Sequence, residues 1–507
     1  MATKKATKKS GKKATKRTTK AASRKSTKAK SKKSASKATK GRAAGSGAKA
    51  KGDLRVRMYR VGFGDFFLIT VPTKAGPEHI LIDCGVHAGD IKSMKACVQD
   101  LVQETGRKLA LVIATHYHAD HLSGFATNFD EFAQFEVGMV WITNRLDPNR
   151  EDAAKFKAQI RSLASQLELR LGARKDQAGK EALFKVQDAL GAKGKEGGNE
   201  KALRLLTEGF KNKPPVRYYQ AGEDPELPRS LKGAITAELL GPAPLDSGKE
   251  FASSDNKKEQ YLAAAAEGGL PPSDALLPFE KDWPASATDY PTVAFREYRT
   301  EKQIDLKKPG SAKALEQLLH SAQPDVLFAV ADAVDGTLNN QSLVVLFTCK
   351  GKKLLFVGDA QWGNWSYWLY GKKVTGKDPG ISETAKGILG SIDFYKVGHH
   401  GSTNANPIPA VAALNPTCVS MCSTEAGDQN PGKAEDNRPY GKISKGTEVP
   451  RITLMEEMEK QTKNRLVRSD WIEVLDVGAS PEAKDQLAKL PANFSKGDLY
   501  VDYVFPK

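Results

Sequence analysis

The segment Ala114-Thr115-His116-Tyr117-His118-Ala119-Asp120-His121 places four metal-ligand side chains within six residues, directly after the apolar run Leu109–Ile113. That run is rich in branched residues and too short for a helix, so it predicts a buried strand. The four side chains then lie at the carboxyl end of a strand, where open α/β sheets place their chemistry. One Zn²⁺ takes three or four such ligands, so the segment can begin two adjacent metal sites. Since three of the chain's eight histidines fall here, a polar loop with chance histidines is a poor explanation.

Three other strand ends carry matching residues, in the order that this first motif would require. Ile80-Leu81-Ile82-Asp83-Cys84-Gly85 predicts a strand followed by an aspartate upstream, and Lys353-Leu354-Leu355-Phe356-Val357-Gly358-Asp359-Ala360 predicts another downstream. Phe394-Tyr395-Lys396-Val397-Gly398-His399-His400-Gly401-Ser402 ends a third strand with two histidines. Together with the first segment, this series resembles the metallo-β-lactamase superfamily. The resemblance implies a metal-dependent hydrolase.

Further segments resemble a narrower group, the soluble domain of bacterial competence (DNA-uptake) channel proteins. They are Tyr59–Ile69, Asn339–Leu346 and Lys396–Ser402, and the resemblance spans roughly residues 54–475. This chain departs from that pattern at His118, where the competence-type sequence more often has Asp. The superfamily's intermediate His also has no counterpart, as in the competence-type proteins, because His320 has the setting of a surface residue at a helix end.

The resemblance implies two divalent metal ions, Zn²⁺ or alternatively Mn²⁺, that share a hydroxide. His116 and His118 would bind the first ion, Asp120, His121 and His399 the second, and Asp359 would bridge them. Spacing alone leaves the choice between His399 and His400 open, and the resemblance favours His399. Asp83 would orient the ligand loops, because a ligating imidazole needs a partner on its other nitrogen.

Catalytic roles fall to residues of the same segments. Asp120 would also hold the proton of the attacking hydroxide. His400, Lys396 and Ser402 follow the last strand, where a leaving-group acid or a phosphate donor is needed. A lysine and a hydroxyl suit phosphate better than an amide carbonyl.

The first 52 residues differ from the rest in composition. They contain 20 Lys and Arg and no Asp or Glu, whereas residues 53–507 carry 58 basic and 60 acidic side chains. A segment without aromatic residues, Leu, Ile or Val cannot offset its chain entropy by burial, so we expect a disordered Lys-rich tail. A polycation of this density binds nucleic acid through counterion release. A solubility tail, a spacer or a nuclear-import signal is the alternative.

Residues 53–507 are expected to form one domain, a four-layer αββα metallo-β-lactamase sandwich with a helical and loop insert at 146–290. Helical spacing covers residues 89–106, 150–172, 199–212 and 450–464. Strands are predicted at 325–330, 342–348, 353–357, 394–397, 417–421, 471–475 and 499–505.

Three functions fit these residues. The first is a binuclear phosphodiesterase or nuclease that its tail delivers to DNA. The second is a small-molecule ester, thioester or lactam hydrolase whose tail serves only localisation, and the third is a non-catalytic nucleoid-associated binding protein. No apolar run approaches the roughly 18–20 residues that span a bilayer, so we expect a cytoplasmic, nucleoid-associated protein without a membrane partner.

Overall fold

The computed structural model describes residues 52–87, 91–172, 179, 182–183, 185–187, 198–249, 324–371, 380–425, 449–470 and 493–507. The Lys-rich segment up to residue 51, His320 and the predicted strand 471–475 lie outside the described residues. Within the described ranges, no helix combines the length and apolar character needed to cross a membrane.

The described chain contains fourteen strands. In chain order they are β1 (Arg55–Tyr59), β2 (Phe67–Thr73), β3 (Gly76–Ile82), β4 (Lys108–Ala114), β5 (Glu136–Thr143), β6 (Val216–Tyr219), β7 (Thr236–Gly241), β8 (Val344–Cys349), β9 (Lys352–Phe356), β10 (Phe394–Lys396), β11 (Val419–Cys422), β12 (Leu466–Arg468), β13 (Phe494–Lys496) and β14 (Tyr500–Val504).

These strands form two mixed sheets. The first has the order β13-β14-β1-β2-β3-β4-β5-β6, antiparallel from β13 to β3 and parallel from β3 to β6. The second has the order β12-β11-β10-β9-β8-β7, parallel from β12 to β9 and antiparallel from β9 to β7. Each sheet therefore has a block of parallel strands whose carboxyl ends share one edge.

Besides the helical residues 179, 182–183 and 185–187, ten α-helices with both ends in the described ranges connect or cover the strands. They are α1 (Met94–Thr105), α2 (Ala119–Thr127), α3 (Phe129–Phe132), α4 (Glu151–Leu171), α5 (Gly198–Arg204), α6 (Pro324–Asn339), α7 (Trp362–Tyr370), α8 (Glu383–Leu389), α9 (Ile408–Ala412) and α10 (Ile452–Gln461). The predicted helices at 89–106, 150–172 and 450–464 correspond to α1, α4 and α10, and the segment 199–212 contains α5 and a π turn, Leu205–Gly209.

Three core clusters separate four layers. The cluster between the sheets joins side chains of both, among them Ile69, Ile113, Trp141, Phe347 and Phe356. Alternate residues point outward: Leu68 and Val112 pack with α1 and α2, and Leu355 packs with α7, α8 and α10. Side chains of a strand alternate between faces, so β2, β4 and β9 supply two cores each. The predicted αββα sandwich is confirmed.

One predicted strand is wrong. Residues 325–330 begin α6, which extends to Asn339. The six-residue apolar run resembles a buried strand when taken alone, but buried residues recur at Leu327, Val330, Ala331, Val334 and Leu338. This spacing is helical, and the side chains pack against α4. A window of six residues is too short to show this period.

The range 146–290, interpreted as a helical and loop insert, also contains two sandwich strands. β6 extends the first sheet beside β5, and β7 forms an edge of the second sheet beside β8. The helical description is therefore corrected at 216–219 and 236–241. The two strands have only four and six residues. Such short runs give little periodicity from which a strand could be predicted.

Candidate metal centre

The predicted site residues follow strands at one edge of the sandwich. Asp83 follows β3 and His116 follows β4, while Asp120 and His121 occupy the first turn of α2. From the second sheet, Asp359 follows β9 and the His399–His400 pair follows β10. Parallel strands put their carboxyl ends at the same edge, which is why residues so distant in sequence meet.

The side chains form three groups of possible metal ligands among the described residues. Asp65, Asp83 and His121 form one of them, and the other two overlap. Of these two, the first consists of His116, His118 and Asp120, and the second of Asp120, His121, Asp359 and His400. Within each group the ligand atoms lie within 4.8 Å of one another, and every member is buried. Asp120 is common to the first and second groups. The geometry therefore favours Asp120 as the residue shared by the two sites, a role that the resemblance gives to Asp359.

The interatomic distances show how tightly the two sheets meet. Asp359 Oδ2 lies 3.0 Å from His121 Nε2 and 3.5 Å from His400 Nε2. Asp120 Oδ2 lies 2.9 Å from His400 Nε2 and 3.9 Å from His121 Nε2. His116 Nε2 and His118 Nδ1 are 3.2 Å apart. The loop after β4 and the loops after β9 and β10 thus converge in one cleft.

Each imidazole of the two groups has a neighbour near the nitrogen that faces away from its group. His121 Nδ1 lies 2.7 Å from Asp83 Oδ2, and His400 Nδ1 lies 2.8 Å from the carbonyl oxygen of Ser423. Such contacts are typical of metal-ligating histidines, because they fix the ring and its tautomer.

In the first group, one outer contact is of hydrogen-bond length and the other is longer. His116 Nδ1 lies 3.1 Å from Thr115 Oγ1, and His118 Nε2 lies 3.9 Å from Asp335 Oδ1 of α6. The inward nitrogens are therefore Nε2 of His116 and Nδ1 of His118.

Asp83 has the orienting position that the sequence predicts. Besides His121, its carboxylate accepts hydrogen bonds from the amide of Thr115 at 2.8 Å and from Thr115 Oγ1 at 2.7 Å. Asp83 thereby joins the end of β3, the start of the loop after β4 and a ligand on α2. Its own φ of 54° lies in the left-handed region.

His399 and His400 occupy different positions. His400 is fully buried and belongs to the second group, whereas His399 belongs to neither. His399 Nε2 is 3.9 Å from Asp359 Oδ2, and its Nδ1 is 2.8 Å from Ser402 Oγ. The His399 side chain is 19% exposed, whereas every member of the ligand groups is buried. The geometry favours His400 as the ligand, opposite to the choice that the resemblance suggested.

Lys396 is buried, and its ammonium is paired with groups of the protein. Its ammonium donates hydrogen bonds to the carbonyl oxygen of Gly358 at 2.7 Å and to Asp359 Oδ1 at 3.2 Å, and it forms an ion pair with Asp65. Burial acts to lower the pKa of Lys396, but Asp65 and Asp359 outweigh this effect and raise it. Lys396 thus holds Asp359 in place. This role differs from that of a phosphate donor, which the sequence predicts for Lys396.

The electrostatics of the groups fit a cation. Burial acts to raise the pKa of Asp120 and Asp359, but nearby histidines, and Lys396 at Asp359, outweigh it and lower both values. Burial lowers the pKa of His116, with His121 and His118 adding to the effect. Burial also acts to lower the pKa of His121 and His400, but Asp359 and Asp120 outweigh it and raise both values. Positive charge on these imidazoles therefore compensates the two carboxylates, a role that a bound cation would take over.

Several buried polar atoms point to the same conclusion. Asp120 Oδ1 has no hydrogen-bond partner within the described part of the chain, and His121 Nε2 and Asp359 Oδ2 have each other as nearest partner, as an ion pair at 3.0 Å. Leaving buried polar atoms without partners is costly, so such a cluster calls for an explanation. A divalent cation would satisfy all three atoms, and imidazole with carboxylate is a donor set that zinc accepts. The residues present therefore fit the metal ions that the resemblance implies.

Two carboxylates near the site were not predicted from the sequence. Asp65 lies in the turn between β1 and β2, is 1% exposed, and reaches Lys396 and His121. Its position after Gly62-Phe63-Gly64 in a hairpin was the available signal. Asp335 lies in α6, near His118. Its position near the site could not be predicted, because the start of α6 was predicted as a strand.

Comparison with known proteins supports the same assignment. Residues 60–132 match the family model of the Metallo-beta-lactamase superfamily. The matched segment contains Asp65, Asp83 and the whole of the segment His116–His121, which is the first-sheet half of the site. No curated protein matches the chain.

Proposed function

We propose that this protein is a metal-dependent hydrolase with two divalent ions in the cleft between the sheets. The observation that carries the proposal is the convergence of two overlapping ligand groups from both sheets around Asp120. His116, His118 and Asp120 would hold one ion, and Asp120, His121, Asp359 and His400 the other. The match over residues 60–132 adds support for a metallo-β-lactamase-type hydrolase.

Bound divalent ions would supply a water of lowered pKa and offset negative charge that develops on the substrate. The residues of the chain supply the rest. Asp83 and the Ser423 carbonyl orient His121 and His400, and Lys396 holds Asp359. The partly exposed imidazole of His399 lies beside Asp359 and would contact the substrate.

We infer that the substrate is a phosphodiester, with nucleic acid as the favoured form. Two features support this inference: the resemblance of three segments to competence-type proteins and the 20 cations in residues 1–52. The tail would bring the enzyme to DNA by counterion release and make it nucleoid-associated. A small-molecule hydrolase and a non-catalytic binding protein remain as outcomes of the following tests.

The direct test compares full-length protein loaded with Zn²⁺ or Mn²⁺ on single-stranded DNA, duplex DNA, RNA, bis(p-nitrophenyl) phosphate and a p-nitrophenyl ester. Hydrolysis of the phosphodiesters, lost in Asp120→Ala, supports the proposal. Hydrolysis of the ester alone would favour the small-molecule alternative. An inactive protein that nevertheless binds DNA would favour the binding protein.

The role of the tail can be tested separately. Deleting residues 1–52 should weaken duplex binding and flatten its salt dependence, because each phosphate contact contributes to the salt slope. The kcat on bis(p-nitrophenyl) phosphate should barely change. Equal DNA affinity of both proteins at two salt concentrations would remove the tail as an argument for nucleic acid.

A further inference from the structure

Tyr117 lies in sequence between the two histidines of the first ligand group. One short helix holds both its side-chain hydroxyl and its main-chain carbonyl. Its hydroxyl donates a hydrogen bond to Glu200 Oε1 at 2.7 Å, and its carbonyl oxygen accepts one from the side-chain amide of Asn199. Both partners belong to α5, at the start of that helix. Tyr117 is 3% exposed, and the ring is therefore enclosed between the metal loop and the helical layer.

Glu200 is in turn held by α4. Lys157 Nζ lies 3.1 Å from Glu200 Oε1 and Arg161 Nη1 lies 3.0 Å from the same oxygen. Lys157 Nζ also lies 5.0 Å from the centre of the Tyr117 ring, within the range of a cation–π contact. One carboxylate oxygen thus joins the tyrosine of the metal motif to two cations of a helix.

The backbone around Tyr117 has no regular structure of its own. Residues 115–118 lie between β4 and α2, and main-chain hydrogen bonds hold their two ends: the Thr115 carbonyl accepts from the amide of Leu343, and the His118 carbonyl accepts from the amide of His121. His116 Nδ1 lies 3.1 Å from Thr115 Oγ1, whereas Asp335 Oδ1 is 3.9 Å from His118 Nε2, beyond hydrogen-bond length. A shift of Tyr117 would move both ligands together, because it is bonded to each through the main chain.

We propose that Glu200 is a positioning residue of the metal centre, which acts through Tyr117 to hold His116 and His118 in ligating position. The inference rests on the proposed metal-dependent function and deepens it. In this arrangement α4 and α5 set the affinity of the first ligand group for its ion. The second group shares Asp120 with the first but also has supports of its own, because Asp83, Lys396 and the Ser423 carbonyl hold His121, Asp359 and His400.

The test uses Zn²⁺ titration of full-length protein against a competing chelator, with Glu200→Ala, Glu200→Gln and Tyr117→Phe. The Glu200 side chain is 40% exposed, so truncation leaves no enclosed void. Glu200→Ala and Tyr117→Phe should each lower the affinity for one of the two Zn²⁺ ions by about tenfold. This is the low end of the loss of metal affinity seen when a residue that orients a ligand is removed. The double variant should be no weaker than either single one, since both remove one interaction.

Two controls separate positioning from general damage. Glu200→Gln keeps an oxygen that accepts the hydrogen bond from Tyr117. Its Zn²⁺ affinity should therefore stay within about threefold of the wild type, a smaller loss than the roughly tenfold one expected when a partner of a ligand segment is removed. Glu208→Ala removes an exposed carboxylate that follows α5 and should leave both equivalents unchanged. Thermal unfolding of the metal-free variants should match that of the wild type.

The outcomes are distinguishable. Wild-type protein that binds no Zn²⁺ overturns the proposed function together with the inference. Two bound equivalents whose affinities are unchanged in both Glu200→Ala and Tyr117→Phe overturn the inference alone. So does an equal loss from both equivalents, or a Glu200→Gln variant that behaves as Glu200→Ala. If one variant fails to fold, the other still decides the question.

Discussion

The two histidine segments of the candidate metal centre are built in different ways. His116–His121 continues from β4 through extended backbone into the first turn of α2, and His118 has φ −69° and ψ 153°. His399 and His400 instead have φ of 45° and 52°, and Gly401 follows with φ of 87°. Three consecutive residues in the left-handed region are unusual, because non-glycine residues rarely adopt it.

This difference determines how each segment directs its side chains. In the first segment, β4 and α2 border the irregular residues 115–118, so the adjoining regular backbone limits the directions of the side chains. In the second segment the direction depends on tertiary contacts: the Ser423 carbonyl holds His400, and the side-chain amide of Asn406 bonds the Gly398 carbonyl at 2.9 Å. Strained backbone persists only where the surroundings enforce it, and such places cluster at functional sites.

The largest expected effect distinguishes His400 from His399. His400→Ala should lower kcat on bis(p-nitrophenyl) phosphate by about 10³-fold or more, equivalent to about 4 kcal/mol of transition-state stabilisation. It should also lose one metal equivalent, because it removes a member of the second ligand group. His399→Ala should keep both equivalents. Metal loss in His399→Ala and retention in His400→Ala, measured by elemental analysis, would reverse the assignment.

A smaller effect is expected in the first segment. Asp83→Asn should weaken metal binding by roughly 10–100-fold, since an amide cannot replace a carboxylate that accepts from Thr115 and His121 together. Asp498→Asn is the matched control, because that carboxylate is 83% exposed and pairs with Lys92 away from the cleft. Zn²⁺ competition titrations compare the two. Unchanged affinity in Asp83→Asn would show that the imidazoles need no orienting carboxylate.

The smallest effect concerns the backbone of the second segment. Gly401→Ala should lower the free energy of unfolding by about 1–3 kcal/mol, because a Cβ at φ 87° would lie 2.8 Å from Pro450 Cβ. Gly387→Ala in α8 meets nothing within 4 Å and should stabilise by up to about 1 kcal/mol. Urea unfolding of both variants is the measurement. A neutral Gly401→Ala would mean that the segment does not require left-handed backbone.

The same contrast explains what the sequence could predict. The strand ends that carry Asp83, His116 and Asp359 were predictable, because apolar runs bounded by Gly and polar residues mark buried strands. The ligand roles of the first segment followed from spacing and from the family resemblance. The convergence of Asp83, His116 and Asp359 in one cleft then followed from the rule that parallel strands put their carboxyl ends at the same edge.

Other features depended on information that is not local. The run 325–330 was predicted as a strand, since its helical period shows only when the window reaches Leu338. The choice of His400 over His399 needed the left-handed backbone, and the position of Lys396 needed Asp65 from a distant hairpin. The link from Tyr117 to Glu200 joins residues 83 positions apart and leaves no periodic signal.

The most direct test of the central claim is the number of transition-metal ions bound per chain, measured by elemental analysis of purified full-length protein and of Asp120→Ala. Asp120 is the one residue common to both ligand groups among the described residues. We predict about two equivalents in the wild type, the number that a two-metal hydrolase needs, and loss of at least one in Asp120→Ala with the fold intact. Wild-type protein without bound metal after exposure to Zn²⁺ and Mn²⁺, or an Asp120→Ala variant that keeps both equivalents, would contradict the account.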